Sequence, residues 1–168
     1  MFRFDKTEVV NGTTVQKCSP RYALWPDPKP DWWFTLSKPY RRKPLLNIVG
    51  KPLFAELAIL KALQDEGWIG YWRDNWGRCF RQALPPDRCT SLPKVAQDKF
   101  DAIVQQNKGR RAGCWDVFVW KQDRFRFFEA KWLEGKDNIR AQQGAWLDAA
   151  CRAGMKTEDF AVVEWTLL

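Results

Sequence analysis

The spacing of apolar residues after position 50 predicts alternating helices and strands. Helices are predicted where apolar residues recur every three or four positions or where Pro and Gly mark the ends, at 53–66, 94–109 and 138–154. Aromatic and β-branched clusters predict two strands within 68–82 and single strands at 114–120, 124–132 and 160–168, with loops at 85–93 and 134–137. This order predicts an α/β domain at 51–168, with a central mixed β-sheet flanked by helices.

Prolines dominate the pattern at the start of the chain. Seven of the ten prolines lie in the first 52 residues, and they exclude long helices there because proline cannot continue one. Asn11 and Gly12 separate two β-prone runs, which predicts a hairpin turn. We therefore expect residues 1–50 to form an irregular arm with one β-hairpin.

Charge and composition indicate the class of binding partner and exclude some catalytic mechanisms. The chain has 28 Lys and Arg against 20 Asp and Glu, a net charge of +8, together with 11 Trp and 11 Phe. This balance favours a polyanionic partner, most simply nucleic acid, over a basic surface that only meets solvent. Because histidine is absent, mechanisms with a histidine base or a histidine-ligated zinc are excluded.

Cysteine spacing and hydropathy indicate the expected redox state of the cysteines and the cellular compartment of the protein. Five cysteines are scattered without a close pair, at Cys18, Cys79, Cys89, Cys114 and Cys151. We expect them to be reduced, mostly buried thiols and not a zinc site. No apolar run is long enough to span a bilayer, and the first residues do not form a signal peptide. The expectation is a cytoplasmic protein without a membrane partner.

The most informative polar residues interrupt the two strands before the last helix. If a two-residue loop at Gln122 and Asp123 joins these strands, Asp116 faces Glu129. Lys131 shares that face, because side chains alternate along a strand. Two opposed carboxylates need a compensating positive charge, either a bound Mg²⁺ or Mn²⁺ or Lys131 itself. A different turn or a bulge would shift this register. The alternative to a metal site is that one carboxylate lies at a solvated strand end and pairs with the lysine.

Two helical residues also break the apolar pattern. Glu56 falls in the apolar stripe that contains Leu60 and Leu63, and a buried carboxylate needs a partner or a metal. Gln143 shares a helical face with Trp146, so its amide is expected to bind a specific partner. The alternatives are a glutamate at the stripe edge that reaches water and a core amide with satisfied hydrogen bonds.

Together these residues resemble the PD-(D/E)XK nuclease superfamily, and more closely its VRR-NUC branch of virus-type replication-repair nucleases. That branch has a glycine-led strand with an aspartate, a hairpin, an ExK tripeptide and a helix with QxxW. The corresponding segments are GCWD at 113–116, EAK at 129–131 and QGAW at 143–146, and Glu56 fits the upstream helix. Trp115 replaces the proline of the branch, which changes the local backbone but not the chemistry. The resemblance covers about residues 52–166.

The resemblance implies a restriction-endonuclease-like core and a metal-dependent DNA endonuclease that hydrolyses phosphodiester bonds with Mg²⁺ or Mn²⁺. Asp116, Glu129 and the Ala130 carbonyl would bind the metal, and Glu56 would hold a second metal or a metal-bound water. A metal lowers the pKa of its water towards neutrality, which suits a site without histidine.

The remaining implied roles concern the water and the substrate, which the resemblance suggests is DNA, branched or flapped. Lys131 would orient or deprotonate the water or stabilise the charged phosphate, and Gln143 would position the lysine, the water or the phosphate. Basic residues are candidates for phosphate contacts, or for solvated surface only: Arg110, Arg111, Arg41, Arg42 and Lys43. Four tryptophans are candidates to stack on unpaired bases, although we expect most of them in the core: Trp32, Trp33, Trp72 and Trp76.

Two other interpretations stay open. A catalytically inactive nuclease fold would be a module that binds nucleic acid or a protein partner, and the long arm suits that role. An unrelated basic α/β protein would carry the ExK tripeptide by chance, and a structure without the cross-strand pair of Asp116 and Glu129 would favour it. A homodimer also stays open, because the sequence does not determine the oligomeric state.

Overall fold

A computed structural model describes residues 2–85, 89–135 and 137–168, which form one mixed β-sheet with helices on both faces. The strands of this sheet are β1 (Lys6–Val10), β2 (Thr13–Cys18), β3 (Arg21–Leu24), β4 (Leu46–Ile48), β5 (Lys51–Leu53), β6 (Ile69–Asp74), β7 (Cys79–Arg81), β8 (Val117–Lys121), β9 (Arg124–Trp132) and β10 (Phe160–Leu167). The α-helices are α1 (Asp31–Thr35), α2 (Lys38–Arg41), α3 (Ala55–Asp65), α4 (Lys94–Gln106) and α5 (Ala141–Arg152). The predicted α/β class with a central mixed sheet is confirmed.

The sheet is mixed because β10 is parallel to its neighbours whereas the other pairs are antiparallel. The main strand order is β5-β4-β3-β10-β9-β8-β6-β7. β2 pairs with the first half of β10 and β3 with its end, and β1 pairs with the outer side of β2. The adjacent strands β6, β8 and β9 carry or adjoin the residues of the candidate site.

Each face of the sheet has its own hydrophobic core. α4 and α5 cover one face, where Phe100, Phe127 and Trp146 are buried. α3 covers the opposite face, where Leu60 and Trp72 are buried. Removing this apolar surface from water is the main driving force for the layered fold. No helix in the described part of the chain is both long and apolar enough to cross a membrane.

The predicted N-terminal hairpin is present. β1 and β2 pair across Asn11 and Gly12, whose φ angles of +50° and +78° are those of a tight hairpin turn. The rest of the arm is more regular than its prolines predict, because it adds β3, β4 and two short helices. Through β2 and β3, the arm extends the central sheet along β10.

The predicted start of the first long helix is wrong by a few residues. Pro52 does not open this helix but lies in β5, opposite Asn47. β5 is an edge strand, where the missing proline N–H interrupts no ladder hydrogen bond. Phe54 is still extended, and α3 begins at Ala55.

The expectation that all cysteines are reduced is also wrong. Cys79 and Cys89 form a disulfide with their Cα atoms 5.5 Å apart, because a bridge between Phe80 and Thr90 brings the two segments together. The other three cysteines are free thiols, and two of them are buried. The predicted loops at 85–93 and 134–137 lie partly outside the described residues.

Candidate functional site

The pairing of β8 with β9 brings the two predicted strand carboxylates together. Val117 lies opposite Phe128, the register that a two-residue turn predicts. One position further, the Asp116 amide donates to Glu129 Oε2 at 3.3 Å, and the Ala130 amide donates to Asp116 Oδ2 at 3.1 Å. Asp116 and Glu129 therefore lie side by side, as the register predicts.

Glu129 is the centre of a hydrogen-bonded cluster. Its side chain is almost fully buried, and Oε1 lies 2.9 Å from the Lys131 ammonium and accepts a hydrogen bond from the Gln143 side-chain amide. Gln143 Oε1 lies 3.4 Å from Lys131 Nζ and accepts a bond from the Arg140 amide at 2.8 Å. Gln143 thus contacts both the carboxylate and the lysine, while Asp137 lies 3.4 Å from the same lysine.

Two residues just before Asp116 hold the start of α5 against the strand. Gly113 has a φ of +84°, and a Cβ atom there would lie 2.0 Å from the Gln142 carbonyl oxygen, so glycine is required. The indole N–H of Trp115, which is fully buried, donates to the Gln143 carbonyl at 3.1 Å. Trp115, which stands where the resembled family has proline, therefore helps to fix Gln143.

The N-terminal arm brings a second lysine to the site. Glu56 on α3 is buried, and its carboxylate accepts a hydrogen bond from Lys43. The Lys43 ammonium also lies 5.5 and 5.3 Å from the centroids of two aromatic rings. Arg41 and Arg42 are exposed, so the structure splits the predicted basic cluster and directs Lys43 towards the carboxylates.

Burial and the neighbouring charges shift the pKa values of the acidic and basic groups in the cluster. Burial raises the pKa of Asp116 well above its ordinary value, and the charges of Glu129 and Glu56 raise it further. Burial also raises the pKa of Glu129, although Lys131 opposes this shift. Burial acts to lower the pKa of Lys131 and Lys43, but neighbouring carboxylates outweigh it and the pKa of each lysine is raised. A bound cation would relieve the excess negative charge at the carboxylates.

The cluster lies in a cavity of about 820 Å³ that also contains Ala130. Four acidic side chains face it against six basic ones, which are Lys43, Arg73, Arg78, Arg111, Lys131 and Arg140. Arg111 thus lines the cavity as expected for a phosphate contact, whereas Arg110 lies at a separate, smaller hollow beside Arg152. The positive excess of the lining suits an anionic ligand.

Among the four candidate stacking tryptophans, Trp76 alone is exposed at the cavity. Its side chain is 63% exposed, in the turn between β6 and β7, and its amide donates to Asp74 at 3.1 Å. Trp72 is buried, and Trp32 and Trp33 pack against the core on the α3 side. Most of these residues are therefore core, as expected.

The donors of the site fit a hard divalent cation. Asp116 and Glu129 supply two adjoining buried carboxylates, and Mg²⁺ needs only one or two when waters and substrate phosphates complete its coordination. Across residues 2–85, 89–135 and 137–168, no three acidic or cysteine side chains converge as a ready-made metal site. Glu56 is bound to Lys43, so its expected role at a metal would require Lys43 to move.

Arg73 is a site residue that the sequence analysis missed. In the pairing of β6 with β8, Trp72 lies opposite Val117, and the Arg73 amide donates to the Asp116 carbonyl at 2.7 Å. Arg73, Asp116 and Glu129 therefore form one row across three adjacent strands. The sequence signal was an arginine within an aromatic strand, but no local turn defines the register of β6 against β8.

The site thus combines a buried carboxylate pair, two lysines and an amide with a basic cavity wall. Acidic and basic side chains therefore line the same cavity, and two of the carboxylates are paired with its lysines. Comparisons of the chain with protein-family models, with curated proteins and with solved structures gave no match.

Proposed function

We propose that the protein is a metal-dependent DNA endonuclease with a PD-(D/E)XK site of the VRR-NUC type on a restriction-endonuclease-like core. The observation that carries the proposal is the contact among Asp116, Glu129, Lys131 and Gln143 at the ends of β8, β9 and α5. The order of elements supports it as well, because the upstream helix α3 carries Glu56 and a hairpin joins the two carboxylate strands.

The residues of the site have distinct proposed tasks. Asp116, Glu129 and the Ala130 carbonyl would hold Mg²⁺ or Mn²⁺, which when bound supplies an acidified water and a countercharge for the phosphate. Burial acts to lower the pKa of Lys131 but the charge of Glu129 raises it, so Lys131 would offer positive charge and N–H donors to the phosphate. Gln143 keeps the carboxylate and the lysine in fixed orientations.

A cleavage assay tests this proposal on linear, flapped, single-stranded and four-way DNA with Mg²⁺ or Mn²⁺. The wild-type protein should cut at least one of these substrates only when the metal is present. Asp116→Asn and Lys131→Met should each lower the rate by at least about 100-fold, the scale of losing one group that stabilises the transition state.

The matched control is Glu164→Gln. Glu164 lies on β10 and its carboxylate pairs with Lys17, outside the cavity, so this variant should cut like the wild type. Undiminished cutting by both site variants would refute the proposal, and so would the absence of metal-dependent cutting on every substrate.

A second candidate is a module that binds nucleic acid without catalysis. It is favoured by ion pairs of the site, Lys43 with Glu56 and Lys131 with both Glu129 and Asp137, which offset part of the carboxylate charge without a metal. Tight DNA binding that does not depend on metal, with no cleavage of any substrate, would identify this function.

A further inference from the structure

Arg73 is a buried cation without a counter-charge. Its residue is only 7% exposed, and it lines the cavity. Within the described residues, its Nε has no hydrogen-bond partner and no carboxylate lies within ion-pair distance of its guanidinium. Its close contact is the Phe80 ring, whose centroid lies 5.2 Å from the guanidinium carbon. Burying an unpaired charge opposes folding, so the position needs an explanation beyond packing.

No neighbouring carboxylate pairs directly with the Arg73 guanidinium within the described residues, although the charge of Asp74 acts favourably on it. Asp74 follows Arg73 on β6, so its side chain points to the other face of the sheet. There its carboxylate accepts hydrogen bonds from Tyr40 and Arg81 at 2.6 and 2.7 Å. The negative partner of Arg73 is therefore expected to come from a ligand.

A ligand bound by Arg73 would lie next to the carboxylate pair. Backbone pairing puts Arg73 beside Asp116, which in turn lies beside Glu129, and adjacent strands are about 4.8 Å apart. Arg111, an exposed residue that lines the same cavity, lies close enough for its charge to act on Arg73. Neither arginine pairs with a carboxylate in the part of the chain that the structure describes, and two such guanidinium groups are suited to a multiply charged oxyanion.

We propose that Arg73, together with Arg111, forms a phosphate-binding subsite for the nucleic-acid backbone on the cavity wall next to the carboxylate pair. This inference rests on the proposed function and adds the group of the substrate that this wall recognises. A guanidinium presents paired N–H donors that match phosphate oxygens, and the Phe80 ring beneath it limits the orientations of Arg73. The subsite therefore positions the backbone before the metal is bound.

The test measures DNA binding without metal, in EDTA, by fluorescence anisotropy with labelled single-stranded and flapped DNA. Arg73→Met removes the charge and retains the volume, and Arg73→Lys retains the charge without the planar fork. The matched control is Arg126→Met, because Arg126 on β9 also has an unpartnered Nε and an aromatic ring at 4.8 Å but lies outside the cavity.

Arg73→Met should weaken DNA binding by about 3- to 10-fold and reduce the slope of log affinity against log salt by about one. Arg73→Lys should lose less affinity, and Arg126→Met should bind like the wild type. Inorganic phosphate should raise the melting temperature of the wild type more than that of Arg73→Met. Without phosphate, Arg73→Met should melt no lower than the wild type, because a buried unpaired charge has been removed.

Unchanged DNA affinity of Arg73→Met would overturn the subsite, even if inorganic phosphate still acted through Arg73. Equal losses of affinity in Arg73→Met and Arg126→Met would overturn it too, because they would indicate general destabilisation. The outcome is separable from that of the cleavage assay. Intact wild-type cleavage without an effect of Arg73 on binding overturns the subsite alone. Absent cleavage with a clear effect of Arg73 overturns catalysis and leaves a phosphate-binding module.

Discussion

Replacing Asp116 by asparagine should stabilise the metal-free protein at pH values above the raised pKa of this carboxyl group. Asp116 is buried, and its negative charge is opposed by lost hydration and by the charges of Glu129 and Glu56. Asparagine retains an oxygen that is able to accept the hydrogen bond from the Ala130 amide. The substitution therefore removes the unfavourable charge and preserves the hydrogen bond from Ala130, at the loss of the long 3.5 Å bond from Asn75 to the other carboxylate oxygen.

The size of the effect follows from the cross-strand geometry. Two like charges about 5 Å apart, the spacing of directly opposed residues, repel by about 3 kcal/mol at an effective dielectric constant of about 20. Lys43 and Lys131 attract Asp116 and offset part of this repulsion. A net gain of about 1–2 kcal/mol in the free energy of unfolding corresponds to about 2–8 °C in melting temperature for a domain of this size.

The gain should depend on pH with a defined sign. The pKa of Asp116 is higher in the folded protein than in the unfolded chain, where it is about 3.9. Between these two values the folded state binds more protons, so wild-type stability falls as the pH rises through the interval. The advantage of Asp116→Asn should be near zero at about pH 4 and reach its full size only above the raised pKa.

Thermal unfolding followed by circular dichroism between pH 4 and 8 in EDTA measures this effect, with Glu164→Gln as the control. Added Mg²⁺ should then stabilise the wild type, by about 1.4 kcal/mol at ten times its Kd, and should stabilise Asp116→Asn much less. Lower stability of Asp116→Asn at pH 7 in EDTA would refute the repulsion argument. Equal Mg²⁺ effects on both proteins would refute the proposed role of Asp116 as a ligand.

Three further substitutions test how the site is held together. Gly113→Ala should lower the free energy of unfolding by about 2–4 kcal/mol, because a Cβ atom would overlap a carbonyl at the start of α5 at a positive φ; urea titration measures it. Lys43→Met should cost about 1–3 kcal/mol by leaving the buried Glu56 unpaired, and adding Glu56→Leu should restore most of the loss in a double-mutant cycle. Gln143→Ala should slow single-turnover cleavage by about 10- to 100-fold, whereas Gln142→Ala on the exposed neighbouring position should not.

Local pairing in the site was predictable from the sequence. The two-residue turn between β8 and β9 determines which residues oppose each other, so the meeting of Asp116 with Glu129 followed from residue spacing alone. Gln143 was detectable because a polar residue on the apolar face of a helix needs a partner. In both cases the prediction depends only on residues that are close together in the sequence.

Long-range contacts were not predictable in this way. Arg73 joins the row of site residues through the pairing of β6 with β8, which are separated by α4 and therefore have no turn to define their register. Lys43 reaches Glu56 from an arm whose short elements gave no periodic signal. Cys79 and Cys89 meet through one isolated bridge, and their spacing matches no close-pair motif.

The pairing of the N-terminal arm with β10 means that the arm cannot be removed without exposing the central sheet. A protein cut at residue 51 would lose β2 and β3, and one edge of β10 would then present unpaired backbone groups to other chains. The same cut would remove Lys43 and leave the buried Glu56 carboxylate without its ion-pair partner. Residues 51–168 are therefore not expected to be stable by themselves. Transferring them to another protein would require a strand that pairs with β10 and a basic side chain that pairs with Glu56.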